Sequence, residues 1–218
     1  MRVLNAYAGI GGNRHLWPAE WRVTAVEIDE RVAAEYSRRY PDDEVIVSDA
    51  HAFVLERSEE FDGTWSSPPC PTHSKLARVN ASKHGRPLEP DPRLWVEIAH
   101  LRSTGRPFVV ENVHTYYEPP IPPDLVTDRH YYWMSRVPVM LTPVPSAGMG
   151  FYGAPTAGEY AELYGLPPIP PRTVPDARKA MKNAVVPIEG LEVALAAFSR
   201  VLESQDSGPE PVTGRNTP

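Results

Sequence analysis

Apolar runs of strand length alternate with helical stretches from Val3 to Glu111, and this alternation most constrains the fold of the chain. Val3–Ala8 reads as a buried strand, followed by the glycine-rich Ala8-Gly9-Ile10-Gly11-Gly12 and a short helix from Arg14 to Trp17. Arg22–Ile28 reads as a second strand, Glu30–Tyr40 as a helix stopped by Pro41, and Glu44–Val47 as a third strand. Phe61–Ser66 and Pro107–Glu111 are the fourth and fifth strands, separated by an amphipathic helix from Arg93 to Ser103. Strands alternating with helices predict an α/β fold, a doubly wound parallel sheet of Rossmann-like type.

After Glu111 the text changes. Prolines at 119, 120, 122 and 123 precede an aromatic segment, Tyr131-Tyr132-Trp133, and a strand-like Val137–Leu141. Gly148–Pro175 lacks periodicity and Ile188–Leu202 reads as helix. The predicted organisation is one main domain over residues 1–140 and 176–202, a small irregular insert over 141–175, and a polar, disordered tail over 203–218.

Composition excludes several classes. The hydrophobic share is 41% and no apolar run reaches the roughly 20 residues that span a bilayer, so no membrane segment is expected. The N-terminus lacks the pattern of a secretory signal, and a cytoplasmic protein is expected. A single cysteine rules out an internal disulfide and a cysteine-cluster zinc site, and the scattered histidines predict no metal. The net charge of −6 argues against a coat for nucleic acid, yet Pro71–Leu88 has no acid and four bases, Lys75, Arg78, Lys83 and Arg86. That run fits either a solvated loop or a patch for the phosphate backbone.

Three constellations carry chemistry. Gly9, Gly11 and Gly12 permit a tight turn with close approach of backbone N–H groups to a ligand, and Glu27 at the next strand end suits ribose hydroxyls. Asp49, after the third strand, fits either an adenine amino group or the N-cap of a helix over His51–Glu56. Cys70 follows Ser66-Ser67-Pro68-Pro69 at the end of the fourth strand, in a backbone stiffened by proline rings. The reading there is an exposed thiol, its pKa lowered by the basic residues that follow. Glu111 ends the fifth strand at the same sheet edge, so a nucleophile and an acid meet.

Taken in order, these segments resemble the DNA cytosine-5 methyltransferase family from Leu4 to Pro187. Tyr7-Ala8-Gly9-Ile10-Gly11-Gly12 is similar to its first cofactor motif, Val26-Glu27-Ile28-Asp29 to its second, and Ser48-Asp49-Ala50 to its third. Ser67-Pro68-Pro69-Cys70 resembles the nucleophile motif, Glu111-Asn112-Val113 the acid motif, and Lys182-Asn183-Ala184-Val185-Val186-Pro187 the terminal motif. Pro71 stands where the family has a polar residue, and Lys182 where it has glycine. Asp128–Trp133 resembles the arginine motif loosely, with Arg129 as its arginine.

The resemblance implies an S-adenosylmethionine-dependent methyltransferase acting on carbon 5 of cytosine in double-stranded DNA. Tyr7, Gly9, Gly11, Gly12, Glu27, Ile28, Asp49, Ala50, Pro69 and Asn183 would hold the cofactor. Cys70 would add to the ring, Glu111 would protonate it, and Arg129 would contact the extruded base. The insert over 141–175 would be a minimal recognition element for a target of about two or three bases. Such compactness suits a phage or a solitary bacterial modification system. The alternatives are an RNA substrate, as in one branch of the family, and a catalytically silent binding module; a nicotinamide enzyme would need a different glycine fingerprint.

Overall fold

A computed structural model describes residues 1–85, 88–144 and 155–206. The strands are β1 (Arg2–Ala6), β2 (Arg22–Glu27), β3 (Glu44–Val47), β4 (Gly63–Ser66), β5 (Phe108–Val113), β6 (Leu125–Val126) and β7 (His130–Met134). The helices are α1 (Glu30–Arg39), α2 (Ala50–Arg57), α3 (Lys75–Lys83), α4 (Arg93–Thr104), α5 (Ala157–Tyr164), α6 (Ala177–Asn183) and α7 (Pro187–Asp206).

The strands form one sheet in the order β3-β2-β1-β4-β5-β7-β6, parallel from β3 to β5, with β7 antiparallel to both of its neighbours. This is the doubly wound α/β sheet expected. Strand alternation sorts the side chains: Val3, Val23, Trp65, Val109, Tyr132 and Met134 face α7, whereas Leu4, Ala6, Val26, Phe108, Val110 and Trp133 face α2 and α4. Ala25 packs on Tyr36 of α1, which therefore shares the α7 side. Both faces are covered, which explains why the strands read as continuous apolar runs.

Local chemistry sets the ends of elements. Asp29 caps α1 by accepting from the N–H groups of Arg31 and Val32, Glu30 lies in its first turn, and Arg38 and Arg39 lie in its last. Gly105 ends α4 in the left-handed conformation. The strand order reverses between β1 and β4, whose following loops are the glycine turn and Ser67–Cys70. Open parallel sheets bind ligands at such a switch point, beyond the carboxyl ends of the strands.

Several expectations are corrected. Arg14–Trp17 forms turns and no helix, because Pro18 closes the segment after the Trp17 N–H has reached the Arg14 carbonyl. The strand near Val137 is absent; the aromatic segment supplies β7 instead, since its rings are what the two sheet faces bury. The insert is not wholly irregular. Thr156 and Glu159 form a reciprocal capping box that starts α5, and Tyr160, Ala161 and Tyr164 pack with Ile10, Met181 and Ala184. α7 continues to Asp206, past the expected tail boundary, and residues 207–218 lie outside the described residues.

Among the described residues, no helix is long and apolar enough to cross a membrane.

Candidate active site

The glycine turn is built by steric need. Tyr7 and Gly9 have left-handed φ angles of 55° and 56°, and Gly11 has 75°. A β-carbon on Gly11 would lie 2.2 Å from the Tyr40 ring, and one on Gly12 would lie 2.6 Å from the Val185 carbonyl oxygen. The second contact joins the glycine turn to Lys182–Pro187, so two segments far apart in sequence meet here. The Glu27 carboxylate accepts from the N–H groups of Gly9 and Asp29, both at 3.0 Å, and thereby shapes the turn. Each carboxylate oxygen has a second lone-pair site for a hydroxyl donor.

Beside Glu27, Ile28 is 68% exposed, an apolar surface suited to the face of a flat ring. Asp49 caps α2 through the His51 N–H, so the capping role weighed for it is real, and it still faces the same edge. Ala50 is buried at the start of α2, and Asn183 is exposed at the end of α6. Pro69 and Tyr7 line a small cleft with Arg93 and Asp91. A larger hollow, lined by Gly105, Arg136 and Arg200, contains none of the candidate residues and lies at the opposite end of β5.

Tyr7 also leads to a buried carboxylate. Fully buried Glu97 on α4 accepts from the Tyr7 hydroxyl, from Ser66 Oγ at 2.7 Å, and faces His51 Nδ1 at 2.7 Å. Partners on three other elements satisfy its charge and tie the ends of β1 and β4 to α2. Sequence reasoning missed Glu97, which read as a polar position on an amphipathic helix.

Cys70 and Glu111 come together as expected. Ser66 and Val110 are paired neighbours, so the loop after β4 and the end of β5 emerge side by side. The Asn112 amide donates to the Pro68 carbonyl at 2.9 Å, and the Cys70 carbonyl accepts from the N–H groups of His73 and Ser74. The thiol is half-buried, and its pKa is raised: burial contributes most, then the negative charge of Glu111, and these outweigh Lys179 and Lys182. The expectation of a lowered pKa is therefore corrected. The bases that lower the thiol pKa belong to α6, not to the segment after the cysteine.

That segment is a helix rather than a loop, because Ser74 caps it through the Ala77 N–H and no proline interrupts it. Lys75, Arg78 and Lys83 are exposed on α3, with the Arg78 guanidinium over the Tyr116 ring; Arg86 lies outside the described residues.

Arg129 sits just before β7. Its Nη2 donates to the Lys182 carbonyl at 2.9 Å, its guanidinium lies over the Tyr164 ring, and its buried Nη1 has no partner among the described residues. The side chain that reaches Glu111 is instead His130, with Nε2 3.5 Å from Glu111 Oε1 and Nδ1 3.5 Å from Glu189 Oε1. The register explains this: Val113 pairs with His130 and Glu111 with Tyr132, so His130, Tyr132 and Glu111 share one face. Glu189 also accepts from Tyr132 at 2.9 Å and Thr127 at 3.0 Å. Its burial raises the pKa, but His130, Tyr132 and Thr127 outweigh this and hold it below the usual value.

Among the described residues, no three His, Cys, Asp or Glu side chains cluster so as to hold a metal ion.

Comparison with known proteins adds the following. The family model described as C-5 cytosine-specific DNA methylase matches residues 1–119, just over half of the chain. No curated protein matches the sequence. Among solved structures, a candidate DNA modification methyltransferase encoded within an E. coli prophage is 19% identical, with 54% of this chain and 33% of that chain covered and a TM-score of 0.37. Spodoptera frugiperda DNMT2, in mutant form, is 22% identical over 51% of this chain and 35% of that one, with a TM-score of 0.38. An S-adenosylmethionine-dependent methyltransferase from Agrobacterium tumefaciens is 15% identical over 54% of this chain and 40% of that one, with a TM-score of 0.36. The chain spans about one third of the length of the first two.

Proposed function

The chain belongs to the C-5 cytosine-specific DNA methylase family, and from that premise we propose that it methylates carbon 5 of cytosine in double-stranded DNA with Cys70 as nucleophile. The observation that most supports this reading is the meeting of a half-buried thiol and a carboxyl at the switch point, close enough for Glu111 to act on the acidity of Cys70.

The glycine turn, Glu27, Ile28 and Asp49 suit an adenosine-containing cofactor: donors in the turn, an apolar ledge, and two carboxylates for hydroxyl and amino groups. Tyr7, Ala50, Pro69 and Asn183 lie around the same edge. S-adenosylmethionine bound there supplies an electrophilic methyl group. The protein's own residues act on the base. The Cys70 thiolate bonds to carbon 6 as Glu111 protonates nitrogen 3, which makes carbon 5 nucleophilic enough to take the methyl group; carbon 5 then gives its proton to water, sulfur departs as thiolate and nitrogen 3 returns its proton to Glu111, which restores the ring. Arg129, with Nη1 buried and unpartnered among the described residues, is our candidate to meet charge developing on the extruded base. Lys75, Arg78 and Lys83 would hold phosphates. The insert would read a short target, and a cytoplasmic protein acting on phage or bacterial DNA suits this reading.

The test is transfer of labelled methyl from S-adenosylmethionine to duplex DNA by wild type and Cys70→Ala, with nucleoside analysis and a parallel RNA substrate. Label in 5-methylcytosine of DNA that vanishes in the variant is expected. Label only in RNA moves the substrate, and no label with either defeats the enzyme reading.

A further inference from the structure

Glu111 is not alone at the end of β5. His130 lies between two carboxylates, Glu111 on β5 and Glu189 on α7, and all three residues are at most 8% exposed. Glu189 Oε1 accepts from the Tyr132 and Thr127 hydroxyls and faces His130 Nδ1, and although burial raises its pKa, His130 first and then these hydroxyls hold it below the usual carboxylate range. An ionised oxygen facing Nδ1 requires a hydrogen on that nitrogen. The Tyr132 oxygen, 3.4 Å from Nδ1 and already donating to Glu189, accepts from the same N–H. The tautomer of His130 is thus set by α7. Its other nitrogen, Nε2, faces Glu111 Oε1 at 3.5 Å, and a hydrogen given to that oxygen would leave Oε2 to carry the Glu111 proton.

We infer that His130, oriented by Glu189, is a positioning residue for Glu111: it holds Oε1, so that Oε2 is presented to the base, and it steadies the carboxylate left after Glu111 gives up its proton. This rests on the methyltransferase reading above. Glu111 passes one proton from Oε2 to nitrogen 3 as the Cys70 thiolate bonds to carbon 6, its carboxylate is left beside His130, and the proton returns to Glu111 when sulfur leaves as thiolate; the proton that carbon 5 gives up for the methyl group goes to water. His130 itself never touches the base.

The groups that face His130 are Glu111 from β5, Tyr132 from β7, Glu189 and the Thr127 hydroxyl. Arg129 lies near the same cluster, as its charge effects on Tyr132 and on Tyr164 of α5 show.

The decisive experiment is a double-mutant cycle on single-turnover methyl transfer, using His130→Gln, His130→Leu, Glu189→Gln and Glu111→Gln, with thermal melting of each variant. His130→Leu and Glu189→Gln are expected to lower the rate by about 10- to 100-fold with little change in DNA or cofactor affinity. His130→Gln, which keeps a donor, should recover part of the loss but change the shape of the pH–rate profile. In the Glu111→Gln background the His130 substitutions should add almost nothing. Additive losses, or losses that simply track the melting temperature, would overturn the inference while leaving the methyltransferase intact. A wild type without methyl transfer would instead defeat the reading on which it rests.

Discussion

The side-chain amide of Asn112 donates a hydrogen bond of 2.9 Å to the carbonyl oxygen of Pro68, tying the strand that carries Glu111 to the loop that carries Cys70. Both groups are buried or nearly so, and the bond spans 44 residues of chain. It is a direct mechanical link between the proposed nucleophile and the proposed acid. Replacing Asn112 by Ala leaves the Pro68 carbonyl unsatisfied, with an expected loss of about 1–3 kcal/mol in stability. Misplacing the thiol by about 1 Å costs up to about 100-fold in rate, so activity should fall further than the melting temperature implies. Chemical denaturation beside single-turnover kinetics checks this.

The acidity of Cys70 gives a second prediction. Burial and the Glu111 charge raise the thiol pKa, so alkylation by iodoacetamide should be slow at neutral pH and rise at higher pH than for an ordinary thiol. Glu111→Gln removes a negative neighbour and should shift the alkylation profile to lower pH. Lys179→Ala and Lys182→Ala remove positive neighbours and should shift it upward. A profile that ignores all three substitutions would separate Cys70 electrically from both β5 and α6.

Gly12 tests the joint between the glycine turn and Lys182–Pro187. A β-carbon there would meet the Val185 carbonyl at 2.6 Å and Ala184 Cβ at 2.8 Å, both on backbone-anchored atoms that cannot swing aside. Gly12→Ala should cost about 1–3 kcal/mol through overpacking. Binding of S-adenosylhomocysteine, measured by calorimetry, should weaken together with stability. Gly85→Ala, with open space around its β-carbon, is the control for a glycine substitution without a clash, although its φ of 61° adds backbone strain.

α3 supplies a salt-dependence test. If Lys75, Arg78 and Lys83 meet phosphates, each contact contributes about 0.9 to the slope of log affinity against log salt. The triple alanine variant should therefore flatten that slope by about 2 to 3 and weaken all duplex sequences alike. An unchanged slope, measured by fluorescence anisotropy, would leave α3 a solvated helix and direct attention to Lys179 and Lys182.

Much of the geometry of the candidate site was legible because its signals are local. The glycine turn, the acids at strand ends and the prolines before Cys70 each act through backbone conformation within a few residues, so their order along the chain carried over to the sheet. α3 and α5 were missed for the opposite reason. Neither shows a strong apolar period, and both depend on their caps, Ser74 and the Thr156–Glu159 box, and for α5 on contacts with Ile10 and Met181 far away in sequence. β7 was displaced because aromatic residues flanked by prolines do not reveal which short run will find a partner strand.

The sequence by itself determined the doubly wound sheet, the residues that meet at its carboxyl edge and the membership of a methylase family, because strand and turn propensities and motif order are properties of short segments. Tertiary structure alone decided which neighbour Glu111 receives and how acidic Cys70 is. His130 rather than Arg129 faces Glu111 because β5 and β7 pair in one register out of several, and a shift of one residue would turn His130 to the other face. The thiol is raised rather than lowered because burial and charge depend on what packs around an atom, and that is set by residues scattered from β5 to α6.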